Sequence, residues 1–363
     1  MKVCFVSSHT FFNPGGIKNH ILELAEEYKK RGIEVKIIAP RRSSSENYDN
    51  DIILLGKSIP VYTGGNQGDL PYISNTKEID EILEREKFDV IHFHNFIPPF
   101  ALQILNRSKA KNILTFHSNV EAIPFIKPLI PFFTKNLKLN GVIAVAPMIM
   151  EYFKHFNGKK EVIPNGINLN VFNPNAKKHE EYIDDRLNLL FVGRIEERKG
   201  LLYLIKAYKI IKEKHNNVKL LVVGEGPLKQ ECDEYIKENN LKDIIFVGKV
   251  IGKEVAEYFN TCDIYISPAP FGESFGIVLL EAMASGKPVV GFANLGYYLL
   301  LKGSKGEEFL AKPKNIEELS EKILKLIEDD NLRKEMGEWG IEYSKNYSWE
   351  KIADRVLDFY KKS

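Results

Sequence analysis

Glu273 and Glu281 stand eight residues apart in Phe271-Gly272-Glu273-Ser274-Phe275-Gly276-Ile277-Val278-Leu279-Leu280-Glu281, a separation of about two helical turns. Ser274 is placed to cap that helix and Gly286 to end it. The amides of Phe275, Gly276 and Ile277 would then point at an anion. One carboxylate lies ahead of the helix and one upon it, and both can accept from hydroxyls. A capped amphipathic helix explains Ser274 and the apolar face, but not a glutamate followed by Phe-Gly at the opening. Upstream, Gly193-Arg194-Ile195-Glu196-Glu197-Arg198-Lys199-Gly200 follows the apolar run Leu189-Leu190-Phe191-Val192 and sets Arg194 and Lys199 five residues apart. The arginine fork and the lysine point charge suit a diphosphate, although a solvated charged turn explains this segment taken alone. Gly224-Glu225-Gly226-Pro227 needs only a turn with proline at a helix start.

The amino-terminal half offers a second set. Asn13-Pro14-Gly15-Gly16 precedes a helix carrying His20. Glycines there let a backbone approach a ligand beside free helix amides, or make a tight turn needing positive φ. The dinucleotide fingerprint G-x-G-x-x-G is missing, which disfavours a nicotinamide dehydrogenase. His92, His94 and His117 fall at the carboxyl ends of predicted strands, where open α/β sheets place their ligands. His117, in Thr115-Phe116-His117-Ser118, would hydrogen-bond a sugar hydroxyl or a phosphate. His92 and His94 alternate on one strand, the pattern of satisfied core histidines. No other residue at ligand spacing accompanies them, so no metal is expected.

Elements must carry these residues, and short Val/Ile/Phe runs alternating with longer amphipathic segments predict an α/β fold with strands buried on both faces. Lys2 to Ser7 reads as a strand. Ile17 to Arg31 reads as a helix with Ile17, Ile21, Leu22, Leu24, Ala25 and Tyr28 inward, ended by Gly32. Ile33 to Ala39, Val90 to Phe93, Ile113 to Phe116 and Gly141 to Val145 continue a parallel series. Pro40 to Tyr48 and Tyr62 to Leu70 read as loops. A second series runs through Asn188 to Gly193, Lys219 to Gly224, Ile244 to Gly248, Asp263 to Ser267 and Pro288 to Phe292. Two Rossmann-like sheets result, with a linker at Pro164 to Arg186 and a final amphipathic helix at Ser348 to Lys362.

Composition agrees. At roughly 150 residues per domain, 363 residues make two, and two cores imply a cleft. Fifty-one basic against 49 acidic residues leave +2, too little for a nucleic-acid footprint. No apolar stretch reaches spanning length. Cys4, Cys232 and Cys262 lack metal spacing and fit a reducing cytoplasm. The opening residues lack the series of a secretory leader.

Four segments in order resemble the retaining glycosyltransferases of family four, with their two-Rossmann-domain GT-B fold: Gly15-Gly16 with His20, Thr115 to Ser118, Gly193 to Gly200, and Glu273 to Glu281. The resemblance implies an acceptor-binding domain over 1–168, completed by the carboxyl-terminal helix 345–363, and a nucleotide-sugar domain over 169–344. It implies transfer of a hexose, of mannose or glucose type, from a donor such as GDP-mannose or a UDP-sugar, with retention and without metal. His117, Arg194, Lys199 and Glu273 are the implied catalytic residues. Gly15, Gly16, Val250, Ser274, Phe275, Gly276, Ile277, Val278 and Glu281 join Arg194 and Lys199 around the donor. Gly56 to Val61, Phe88 to His94 and Glu273 to Leu279 resemble the phosphatidylinositol mannosyltransferases within that family. Those carry a polybasic helix where Thr76 to Glu84 here is acidic. Between Ala122 and Leu139, apolar and aromatic residues mix with Lys127, Lys135 and Lys138 and no acid. That is the composition of a weak interfacial segment, or of a proline-broken core helix. The expected location is therefore the cytoplasm, with peripheral contact at an anionic membrane and a lipid among the candidate acceptors. A sugar-nucleotide epimerase and a non-catalytic nucleotide-sugar-binding protein are the rival readings.

Overall fold

The computed structural model describes residues 1–12, 15–43, 45–63, 66–117 and 137–363. They form two compact units, Met1–Gly166 with Trp349–Ser363, and Ile167–Ser348. The boundaries expected at 168/169 and 344/345 thus fall at Gly166/Ile167 and Ser348/Trp349.

The first unit is built on β1 (Lys2–Ser7), β2 (Glu34–Arg41), β3 (Ile52–Thr63), β4 (Asn66–Tyr72), β5 (Val90–His94), β6 (Lys111–Phe116), β7 (Gly141–Ala144) and β8 (Lys159–Val162). They lie in the order β4-β3-β2-β1-β5-β6-β7-β8, all pairs parallel except β3 with β4. Alternate residues of the central strands feed two cores. Cys4, Val6, Ile91 and Phe93 join the core under helices Lys77–Glu86 and Phe100–Arg107. Val3, Phe5, Val90 and Ile113 join the one covered by helices Gly16–Lys30 and Trp349–Lys362. Burial on both faces is why these strands are near-continuous apolar runs.

Two expectations are corrected here. Tyr62 to Leu70 is not a loop, because β3 and β4 form an antiparallel hairpin whose last pair is Thr63 with Asn66. β4 has no apolar alternation and is held by cross-strand pairing at the sheet edge. Pro60 is tolerated because β3 pairs with β2 only as far as Lys57. On the first helix Leu22 points outward, 37% exposed, while His20, Ile21, Leu24, Ala25 and Tyr28 are buried. Leu22 is turned about 100° from Ile21, on the side away from His20 and Leu24, and so falls outside the buried arc.

The carboxyl-terminal helix finds its place through several contacts. Trp349, Ile352, Val356, Phe359 and Tyr360 enter the first unit's core, and Arg31 reaches the Glu350 carbonyl and the Asp354 carboxylate.

The second unit holds β9 (Leu187–Val192), β10 (Val218–Val223), β11 (Ile244–Gly248), β12 (Ile264–Ser267), β13 (Val289–Phe292) and β14 (Leu310–Ala311). They form one parallel sheet in the order β11-β10-β9-β12-β13-β14. Most of the segment expected as a linker is packed on this unit: Ile167 is buried and bridges Ser348, and Leu169, Phe172 and Tyr182 lie against its core. Cys4, Cys232 and Cys262 are free and buried. None of the described helices is long and apolar enough to cross a membrane.

Candidate functional site

Each sheet changes strand order beside its first strand, β1 against β5 and β9 against β12, and α/β folds take ligands at the carboxyl ends of such strands. In the second unit, the loops leaving β9 and β10 are zipped together. The Ile195 amide donates to the Glu225 carbonyl and the Leu228 amide to the Ile195 carbonyl, both at 3.0 Å. A Cβ on Gly224 would stand 1.9 Å from the Gly193 carbonyl oxygen, so the glycine there permits close backbone approach. The turn reading of Gly224 to Pro227 therefore describes what holds the charged segment in place.

That segment bends through a single 3₁₀ turn, Glu197–Lys199. Lys199 Nζ donates to Glu273 Oε1 at 2.7 Å, and Arg198 Nη1 donates to the same oxygen at 3.0 Å. Arg198 also reaches Glu196 at 3.1 Å, and Arg194 lies 3.4 Å from the other Glu196 oxygen. The structure thus brings Lys199 and Glu273 into contact and ties Arg194 to them through Glu196 and Arg198. The last two were missed from sequence. Their signal was available: a cluster of cations needs interleaved carboxylates, and Glu196 and Arg198 lie inside the quoted segment.

The cap expected at Ser274 is corrected. The helix is Ile277–Ala284, its N-cap is Gly276 at φ 97°, and no side chain caps it. A left-handed residue two positions after Ser274 turns the chain away, and a Cβ there would stand 2.7 Å from the Tyr297 ring. Gly286, at φ 74°, follows the helix end as expected. The first-turn amides of Ile277 and Val278 precede any intrahelical acceptor. Phe275, Ile277, Val278 and the distant Val250 all lie half-buried against one apolar cluster. Glu281 is half-buried two turns on, and loss of solvation pushes its carboxyl up to about 7 against the opposing pull of Lys199.

In the first unit, Gly15 has extended backbone, φ −171°, and Gly16 opens the helix. Neither is left-handed, and a Cβ on either meets nothing within 4 Å. A strained turn does not explain these two glycines, which leave backbone open to approach; Asn13 and Pro14 lie outside the described residues.

Beyond β5 and β6, His117 donates its backbone amide to Asn95 Oδ1 at 2.8 Å. Its Nε2 lies 3.1 Å from His94 Nδ1, and the two rings stack at 5.4 Å. His20 packs edge-on against His117 at 4.6 Å, and its Nδ1 meets Asn165 Oδ1 at 3.1 Å. His92 is the satisfied core histidine expected, with Tyr360 Oη 2.5 Å from Nδ1 and Thr115 Oγ1 2.6 Å from Nε2.

His94 is not, because among the described residues its buried Nε2 has no partner. The spacing argument against a metal is likewise corrected: His20, His94 and His117 each present a ligand atom within 4.8 Å of the others. They come from three elements, so linear spacing could not show it. Burial, reinforced by the neighbouring histidines, holds His94 and His117 well below the usual imidazole value, and burial lowers His20 to about 4. All three are neutral at neutral pH. Asn95, left-handed at φ 58°, is the organising residue that sequence reasoning missed. An asparagine closing a strand is a place to look for that conformation.

Residues 14–171 match the Glycosyltransferase Family 4 profile and residues 172–343 that of Glycosyl transferases group 1. The phosphatidyl-myo-inositol mannosyltransferase of Mycobacterium leprae is 29% identical over 99% of this chain and 96% of its own. An uncharacterised glycosyltransferase of Methanocaldococcus jannaschii is 32% identical over 95% of this chain and 94% of its own. Among solved structures, Anabaena HepE in complex with UDP-glucose superposes with a TM-score of 0.75 at 19% identity, covering 100% of each chain. The epimerase reading is not favoured by any of these. With profile matches running from residue 14 to residue 343 and a relative above 30% identity along nearly its whole length, the chain belongs to the family 4 glycosyltransferases, in the GT-B fold.

Proposed function

We propose that the protein moves a hexose from a nucleoside diphosphate sugar to an acceptor hydroxyl, with the anomeric configuration retained and without a metal. The observation that carries this reading is the Lys199–Glu273 contact at 2.7 Å. It sets a cation for the leaving diphosphate against a carboxylate able to order sugar hydroxyls. As the glycosidic bond breaks, negative charge grows on the diphosphate, and Lys199, Arg194 and the amides at the start of Ile277–Ala284 stabilise it. Glu281 accepts from the ribose, Val250 and Phe275 pack on the base, and His117 hydrogen-bonds the transferred sugar. The unit Ile167–Ser348 is assigned to the donor and the unit Met1–Gly166 to the acceptor. The name of the Mycobacterium leprae relative supports a mannosyl donor and an inositol hydroxyl on a lipid. The HepE complex with UDP-glucose supports a nucleotide sugar as the donor.

Purified protein offered GDP-mannose, UDP-glucose and UDP-N-acetylglucosamine with phosphatidylinositol vesicles tests the reading, with the product's anomeric configuration read by NMR. Isomerisation of a donor without acceptor would make the protein an epimerase. Chelator treatment is expected to leave turnover unchanged; loss restored by a divalent cation would overturn the metal-free part.

The two glutamates should separate. Glu281→Gln is expected to weaken donor binding roughly tenfold, the cost of about one hydrogen bond to a charged group, with a smaller effect on kcat. Glu273→Gln should lower kcat at least as much as binding. Equal, purely binding defects in both would end that division. The Glu281 carboxyl, raised to about 7, accepts from hydroxyls best when ionised. Donor affinity is therefore expected to rise as pH climbs through about 7, and Glu281→Gln should flatten the profile.

Residues 122–139 carry the expected membrane contact, and 122–136 of them lie outside the described residues. Weak, salt-sensitive co-sedimentation with anionic but not neutral vesicles is expected, at about 1 kcal/mol per lysine near the surface. No binding at low salt would point to an acceptor free in solution.

A further inference from the structure

The reaction as assigned uses one face of His117 and leaves His20 and His94 unexplained. His94 is fully buried, and among the described residues its Nε2 has no partner, a costly arrangement in a folded interior. Its Nδ1 faces the Nε2 of His117 at 3.1 Å. In tetrahedral zinc sites with Zn–N bonds near 2.1 Å, neighbouring ligand nitrogens lie about 3.4 Å apart. One pair is therefore already near that spacing once the proton it shares moves to the outer nitrogen of its ring, and ligand atoms of all three rings fall within 4.8 Å, a gap that ring rotation can close. Asn165 Oδ1 accepts from His20 Nδ1 at 3.1 Å. That fixes the tautomer and leaves Nε2 with a lone pair, the orientation that outer-shell partners impose on histidine ligands. His117 is half-buried, which supplies an entry route and leaves a fourth position for water.

We propose that His20, His94 and His117 form a three-imidazole site for a divalent transition metal ion, zinc(II) in particular. Three neutral nitrogen donors with an open fourth position suit zinc, cobalt and copper, and do not suit magnesium or calcium. Because a bound ion occupies the His117 nitrogen, it blocks transfer. That consequence, unlike the site, rests on the sugar contact assigned to His117 above.

The test uses the full chain, stripped with a chelator and dialysed. Zinc is titrated in competition with a chromophoric chelator, and cobalt(II) is titrated while visible absorption is recorded. One equivalent of zinc is expected, with cobalt bands of nitrogen coordination. His20→Ala and His117→Ala, each shown folded by circular dichroism, should bind at least tenfold more weakly. His179→Ala removes an imidazole lying beside Glu181 and Glu257 at 3.3 and 3.7 Å and should change nothing. No stoichiometric uptake, equal uptake in both cluster variants, or loss in His179→Ala would each overturn the site. Turnover assayed with and without one equivalent of zinc separates the two claims. Inhibition relieved by chelator upholds both, whereas stoichiometric binding with undiminished transfer upholds the site and removes His117 from the reaction.

Discussion

Lys199→Ala is expected to lower turnover about 10²-fold or more at saturating donor, the usual cost of removing one preorganised donor from developing charge. Its ammonium stands 2.7 Å from Glu273 on a 3₁₀ turn held between zipped loops, so it need not be reorganised when the diphosphate leaves. Folding should survive. Arg198 continues to donate to Glu273 at 3.0 Å, and the carboxylate is not left alone in a half-buried place. Arg194→Ala should act in the same direction. Arg194 is 57% exposed and lies 3.4 Å from Glu196, so its guanidinium can meet an incoming phosphate at little desolvation cost. The measurements are kcat at saturating donor and the unfolding midpoint. Near wild-type kcat in either variant removes that residue from the diphosphate assignment, and a large fall in the midpoint makes it a structural residue.

Legibility differed between elements for physical reasons. β1, β5, β9 and β10 were readable because strands buried on both faces cannot alternate, and their apolar runs stand out. β4 was not, since Asn66–Tyr72 is held by pairing to β3 at the sheet edge and its sequence shows no apolar alternation. The final helix showed its apolar stripe in Trp349, Ile352, Val356 and Phe359, but a stripe carries no address. What receives it is assembled from Tyr28, Val3 and Ile113, far away in sequence.

The same limit governs the site. Glu273 and Lys199 were each readable from local spacing, but their contact spans 74 positions and depends on two loops leaving neighbouring strands. Ser274 was misplaced as a cap because the propensity of serine at helix starts ignores Gly276, whose positive φ sets the true boundary. The histidines show the opposite failing. Position at strand ends pointed to function, while linear spacing argued against a cluster that exists because β5, β6 and the first helix converge.

Removing Trp349–Ser363 is expected to abolish the folding of the first unit while sparing the second. Trp349, Ile352, Val356, Phe359 and Tyr360 are each 7% exposed or less and sit in that unit's core. At about 1.5–3 kcal/mol per large apolar side chain withdrawn from water, taken as an upper bound, their loss rivals the roughly 5–15 kcal/mol that holds a typical domain folded. Polar damage adds to it. His92 Nδ1 loses the Tyr360 hydroxyl and Lys111 loses the Tyr360 carbonyl, both inside or beside the sheet. The unit Ile167–Ser348 keeps all six of its strands and both of its cores, so nucleotide binding assigned to it should persist in the truncated chain. Limited proteolysis with mass spectrometry reads this directly: fragments confined to residues 1–166, with 167–348 protected, are expected. Phe359→Ala should give a graded version, about 3–5 kcal/mol, with the chain still folded at low temperature. A truncated chain whose first unit resists protease like the intact one would show that the helix is an accessory to this core and not part of it.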